Sequence, residues 1–400
     1  MEMLKKNRIE KWIFLAMISI GVLACETNKD TFEEFIKGGE VIYVGTADTV
    51  FVGTGFNKLR FWVAINADPK ITKGRITTIN QSINHEFELV RTQNGKDTIS
   101  FDLDIPEGEY TFGLYLMDDE GNSSVRKEVP ARVYGDNYQL SLINRSLISM
   151  QAYKDSIVIN WAEAPPEMVV TTVTYLNVEG LIQSLEIPNI ENRTVIESYK
   201  SGGKVQYRSL FKPTKIAIEV FEANPSEKSF PDDYILNKAL ITALRLPGDA
   251  SDGCYGSTYE RLTDGSLAEY WHSCDTAEDQ YPFIMSFDLG KEVNLSQFKL
   301  DERQDCCGDR SPAAYQIWGS NDLSQGTTIN IDEAGIESWE ADAQSKGWVK
   351  LVDQSGNTNG TFTVEIPAST QNYRYLRFVG ISAINGGSIT NLNELTFWAK

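Results

Sequence analysis

The sequence predicts an all-β protein of three sandwich modules, and three observations carry that expectation. From about residue 38 to 246 the apolar residues recur with a period of two rather than 3.6. Turn-forming pairs and clusters punctuate those runs. Beyond residue 247 the composition changes, because four of the five cysteines and five of the eight tryptophans fall between 254 and 400. A chain of 400 residues also exceeds what one core usually organises. With 41% hydrophobic and 23% charged residues, it has apolar surface enough to offset its chain entropy.

The first 24 residues are expected to be an export signal. Lys5, Lys6, Arg8 and Lys11 precede a 13-residue apolar run from Trp12 to Ala24, too short to span a hydrocarbon core of about 30 Å. The run ends in Val22-Leu23-Ala24-Cys25, which resembles the bacterial lipobox. That resemblance implies cleavage before Cys25, its acylation, and attachment to the outer-membrane lipid without a transmembrane helix. Residues 25–37 then form a polar, acidic tether, similar in composition to the surface-export signals of Bacteroidetes lipoproteins, which implies display on the cell exterior.

The first module is expected over 38–138. Phe61, Val63 and Ile65, then Phe101, Leu103 and Ile105, then Tyr110, Phe112, Leu114 and Leu116 each place one strand face in a core. Asn94-Gly95, Glu107-Gly108 and the run Asp118 to Asn122 supply the turns. The second module, 139–230, repeats the pattern with Ile157, Ile159 and Trp161, then Val173 and Tyr175 before Glu179-Gly180, then Ile216, Ile218 and Val220. Each is the size of an immunoglobulin-like or fibronectin-like sandwich. Pro225 to Pro231 reads as a connection, and 231–246 as the linker to a C-terminal domain over 247–400.

Specific stretches of the first two modules resemble a known family. Asp68-Pro69-Lys70, Glu107-Gly108-Glu109-Tyr110-Thr111-Phe112, Gly121 to Val125, Tyr134-Gly135-Asp136-Asn137-Tyr138, Asn144-Arg145 and Tyr207 to Pro213 look like domain-of-unknown-function family 4998, found in surface lipoproteins of glycan-degrading bacteria. The C-terminal domain has its own series: Leu262-Thr263-Asp264-Gly265, Tyr270-Trp271, Ile284 to Gly290, Ala314 to Asp322, Trp348, Tyr373 to Phe378 and Asn393-Glu394-Leu395. In this order they resemble the discoidin domain, or coagulation factor 5/8 C-type domain, similar to family 32 carbohydrate-binding modules. The resemblance implies a galactose-binding-type jelly roll with its ligand site on loops at one end.

Asp264 on an Asp-Gly turn and Glu394 on the last strand are carboxylates that such a fold would bring to one hard cation. The family likeness adds Arg261 and Ser266 through their backbone, with Glu269 where a hydroxyl is common, and implies a structural calcium. Cys254, Cys274, Cys306 and Cys307 are expected to form two disulfides in an exported protein, either as adjacent-pair and Cys254–Cys274 bridges or as two cross-links between those sets. The loop Gln304 to Arg310 is polar and clamped. Sugar recognition needs hydrogen-bonding groups for hydroxyls and an aromatic face for the C–H side of the ring. Tyr255, Tyr259, His272, Arg303, Asp309, Arg310 and Asn385 are the candidates, whereas Trp271, Trp318 and Trp398 read as core.

Charge and composition exclude other classes. The balance of 37 basic and 56 acidic side chains, −19, disfavours nucleic acid. His85 and His272 are the only histidines, there is no Gly-rich phosphate loop or Gly-x-Ser-x-Gly elbow, and nothing marks out a catalytic carboxylate pair. The sequence thus points to a non-catalytic lipoprotein that captures poly- or oligosaccharide near separate importer and hydrolase partners. The alternative is an adhesion or envelope-assembly protein whose C-terminal face binds another protein or a host surface.

Overall fold

The computed structural model describes residues 42–325 and 328–400. The signal segment, Cys25 and the tether lie outside the described residues. Among the described residues no helix is long and apolar enough to cross a membrane. The described residues divide into two compact units: 42–141 with 212–221, and 142–211 with 222–400.

The smaller unit is a seven-stranded antiparallel sandwich. Thr49–Gly55, Lys58–Ile65 and Asp97–Asp104 form one sheet in that spatial order, and Asn84–Glu88, Lys73–Thr78, Gly108–Met117 and Lys127–Val133 form the other. The period of two works as expected: Leu59, Phe61, Val63 and Ile65 are at most 1% exposed, while the intervening side chains keep contact with water. Phe61 meets Phe112 of the opposite sheet edge-on at 5.5 Å, which locks the two layers together. Gly95 and Gly121 have φ of 90° and 87°, the left-handed turns their sequence implied. Gly108, by contrast, begins a strand, and the preceding Glu107 uses its carboxylate to accept the amides of Asn137 and Tyr138, both at 2.8 Å. Those amides open the helix Asp136–Ser141, so the module boundary expected at 138 lies inside a helix.

Residues 212–221 correct a second expectation. Ile216, Ile218 and Val220 lie in irregular chain and not in a strand of the second sandwich. They return to the smaller unit, where the Ile218 amide donates to the Thr54 carbonyl at 2.8 Å.

In the larger unit, Leu147–Tyr153, Ser156–Trp161 and Arg193–Glu197 pack over Ile182–Pro188, Met168–Leu176 and Lys204–Phe211. Trp161 is 2% exposed and satisfies its indole by donating to Thr194 Oγ1 at 2.9 Å. Arg145 is buried and donates to the carbonyls of Ala162 and Glu191 at 2.6 and 2.7 Å, stitching one edge of the sandwich. The connection expected at 225–231 is instead a strand, Ser226–Ser229, paired with Lys204–Phe211.

The expected linker 231–246 is structural as well. Tyr234–Ile235 runs parallel to Leu147–Tyr153 on one side and antiparallel to Asn391–Ala399 on the other, so the second sandwich and the C-terminal domain share one eight-stranded sheet. Thr242–Ala243 pairs with Phe283–Val293. The C-terminal jelly roll packs a five-stranded sheet, ordered Thr242–Ala243, Phe283–Val293, Tyr373–Ala383, Pro312–Ser320 and Val349–Gln354, on the continuous sheet's Asn391–Ala399, Leu295–Glu302 and Phe362–Glu365. Phe283, Phe298, Phe378 and Phe397 fill its core.

The five-stranded sheet is apolar on both faces, because Ile284, Trp318 and Val379 enter a second cluster with Trp339 and Trp348. Helices Ile331–Ala334 and Ile336–Ser345 cover that outer face. Trp271 and Trp318 are fully buried, as the sequence implies. Trp398 is a correction: it keeps part of its surface and belongs to neither apolar cluster. Its neighbours Phe397 and Ala399 take the inward positions of the strand.

Candidate functional site

Two disulfides organise one end of the jelly roll. Cys254 pairs with Cys274, and Cys306 pairs with its neighbour Cys307, which selects one of the connectivities the sequence left open. The Cys254 amide also donates to the His272 carbonyl at 2.8 Å. The 304–310 loop is joined to the 384–387 loop by the Asn385 amide, which donates to the Asp309 carbonyl at 2.8 Å. Tyr281 donates its hydroxyl to the Arg310 carbonyl at 2.9 Å. These loops are therefore fixed through their backbones, leaving side chains available.

Those side chains form a continuous strip. Tyr255, 86% exposed, meets His272 edge-on at 5.1 Å. His272 lies 6.5 Å from Tyr270, and the Arg303 guanidinium sits 3.8 Å over the Tyr270 ring. Arg303 is held flat by a fork on Asp305, with contacts of 2.5 and 2.9 Å. That hydrogen bond and charge hold the Asp305 carboxyl below the usual carboxylate range. His272 directs Nδ1 at the Ser273 carbonyl, 2.7 Å away. Asp309 and Arg310 lie on the disulfide loop that follows Arg303 in the chain, and their side chains have no hydrogen-bonding or ionic partner among the described residues.

Two candidates take other roles. Tyr259 is fully buried and donates its hydroxyl to the Ala250 carbonyl, so it belongs to the core. Burial pushes its phenol far above the ordinary range. Asn385 accepts the Gly387 amide at 2.9 Å and so shapes its own turn. Tyr270 and Asp305 were missed. The signal for Tyr270 was its parity: Trp271 points inward, so the residue before it points out.

The acidic set expected to hold calcium has other partners. Glu394 is 2% exposed, and its Oε1 accepts the Lys238 ammonium at 2.6 Å, while Oε2 accepts the Gly265 amide at 3.2 Å. Burial, aided by the nearby Asp264 charge, raises the Glu394 carboxyl to about 7 against the pull of Lys238. Asp264 accepts the Ser266 amide at 2.7 Å, and Arg261 forms an ion pair with Glu269. Calcium takes six to eight oxygens. An ammonium already occupies the central carboxylate here, so this arrangement does not fit the ion. Among the described residues no group of three or more His, Cys, Asp or Glu is arranged to hold a metal.

Comparison with known proteins matches two stretches of the chain. Residues 25–221 match the family model DUF4998, and residues 259–399 match DUF5000, each described as a domain of unknown function. Among solved structures, a SusE-like protein is similar at 17% identity and a TM-score of 0.34, over 63% of this chain and 96% of that one. The family 32 carbohydrate-binding module of NanJ from C. perfringens, in complex with galactose, is similar at 15% identity and a TM-score of 0.30, over 42% of this chain and 98% of that one. The C-terminal domain of a chitobiase from Bacteroides fragilis gives 15% and 0.30, over 42% and 97%. No curated protein matches the sequence.

Proposed function

We propose that this protein is a surface-anchored, non-catalytic lipoprotein that captures glycan on the loop end of its jelly roll, with acylated Cys25 as its membrane attachment. The observation that carries this reading is the strip Tyr255, His272, Tyr270 and Arg303, together with the partner-free Asp309 and Arg310 of the disulfide loop. The exposed Tyr255 ring suits the C–H side of a sugar ring, and a carboxylate next to a guanidinium suits vicinal hydroxyls. The partner-free Arg310 guanidinium favours a sugar bearing a carboxylate.

The mature body without its lipidated cysteine, residues 26–400, run in native gels containing individual polysaccharides tests the reading. Selective retardation is expected, with loss of it in Arg310→Ala and in Tyr270→Ala at unchanged melting temperature. Retardation that both variants retain would remove the loop end from the account. A lack of retardation on every polysaccharide would favour protein contact instead.

A further inference from the structure

The shared sheet creates a second surface, on the flank of the jelly roll and not at its loop end. Ile235 pairs with Tyr153 on one side and Trp398 on the other, and Trp398 pairs with Gln297, so these four side chains form one row across the sheet. Thr396 and Lys299 lie in the next row on the same face. Alternation assigns the opposite face to Phe397 and Phe298, which are buried in the core. Tyr153, Ile235 and Trp398 remain partly exposed. They line a cleft of about 1020 Å³, at the upper end of the roughly 300–1,000 Å³ common for ligand sites.

Lysines outnumber carboxylates in the lining, in a chain whose net charge is −19. Lys154, Lys238, Lys291 and Lys299 line it together with Asp155 and Asp264. Lys238 and Lys299 are neutralised by Glu394 at 2.6 Å and Asp301 at 2.7 Å. Lys154 and Lys291 are different. The Lys291 ammonium lies 5.6 Å over the Tyr234 ring and has no ion-pair contact among the described residues, nor does Lys154 on the Tyr153–Ser156 turn. The two ammonium groups repel: burial and the charge of Lys154 both lower the Lys291 pKa, and Asp155 offsets this only in part. An anion between them would relieve that repulsion, and a ring on Trp398 or Tyr153 would cover exposed aromatic surface.

We propose that this cleft is a second saccharide site, for an acidic oligosaccharide whose anionic group sits between Lys154 and Lys291 and whose ring lies on the Trp398 and Tyr153 faces. The site does not depend on the loop end. Carboxylate and sulfate share the required chemistry.

Titrating the mature chain by calorimetry and tryptophan fluorescence with oligogalacturonate, a fully sulfated oligosaccharide lacking carboxylates, and a neutral malto-oligosaccharide tests it. At least one acidic probe is expected to bind and the neutral one to leave the signal unchanged, and which acidic probe binds identifies the anion. A Lys154→Ala, Lys291→Ala double variant and Trp398→Ala should each weaken acidic binding at least tenfold at unchanged melting temperature, whereas Lys70→Ala, at an exposed lysine of the smaller unit, should not. Binding abolished by Arg310→Ala but retained by the lysine and tryptophan variants would assign the sugar to the loop end and overturn the cleft. No binding of either acidic probe by the folded protein would overturn it equally.

Discussion

Asp249 shows how a single residue sets a pH dependence. Its carboxyl accepts the Leu246 amide at 2.7 Å and the Ser286 hydroxyl at 2.9 Å, near the fully buried Arg377. Burial raises its pKa from 3.8 to about 6, in spite of the Arg377 charge, which lowers it. A carboxyl whose folded pKa exceeds its unfolded one binds protons preferentially in the folded state. Its stabilising contribution is complete below about pH 4 and is lost as the pH rises through about 6. Denaturation midpoints of Asp249→Asn relative to the parent should therefore improve across that window, and a constant difference would contradict the assignment. At the Glu394 site, Lys238 supplies the cation, so neither calcium nor chelator is expected to move the melting temperature. A calcium-dependent rise would show that the ion displaces the lysine. The same scale shows what was legible in the sequence. Leu395, Phe397 and Ala399 alternate inward, so Trp398 was readable as an outward residue by parity. The general preference of tryptophan for cores pointed the other way. Tyr259 failed for the opposite reason: its hydroxyl has a buried carbonyl to bind, which only the folded chain reveals.

Among the elements, long alternating strands were legible and short or imported ones were not. Lys58–Ile65 and Gly108–Met117 carry enough residues to establish a period. Tyr234–Ile235 has two, and period has no meaning over two residues. The helix Ile336–Ser345 buries Trp339 and Ala343, a spacing of four that carried a helical signal inside a region read as strands. The cysteines could not be paired from sequence, because connectivity depends on which loops the fold brings together. Their two bridges should now behave differently. Cys254 and Cys274 are separated by 20 positions, so replacing both with serine should cost about 3 kcal/mol through restored freedom of the unfolded chain. Cys306 and Cys307 close no such loop; replacing both should leave global stability nearly unchanged and weaken binding at the 304–310 loop. Urea titrations of the two double variants check this, and equal losses would contradict it.

For the whole molecule, the sequence implied three modules, whereas the contacts make two compact units. The difference lies in the Tyr234–Ile235 strand, which makes a continuous sheet of what read as a linker. Calorimetry of the mature chain should accordingly resolve two transitions, the larger of them including the second sandwich and the jelly roll together. Three separate transitions would mean that the shared sheet does not couple them. The overall all-β architecture was visible from period and turns, while the functional reading rests on loop side chains that the fold alone assembles. The most direct measurement of that reading is polysaccharide retardation of residues 26–400 beside Arg310→Ala and the Lys154→Ala, Lys291→Ala variant. Retardation by a glycan and its loss in at least one of these folded variants is the expected result; a folded protein that no polysaccharide retards would contradict glycan capture.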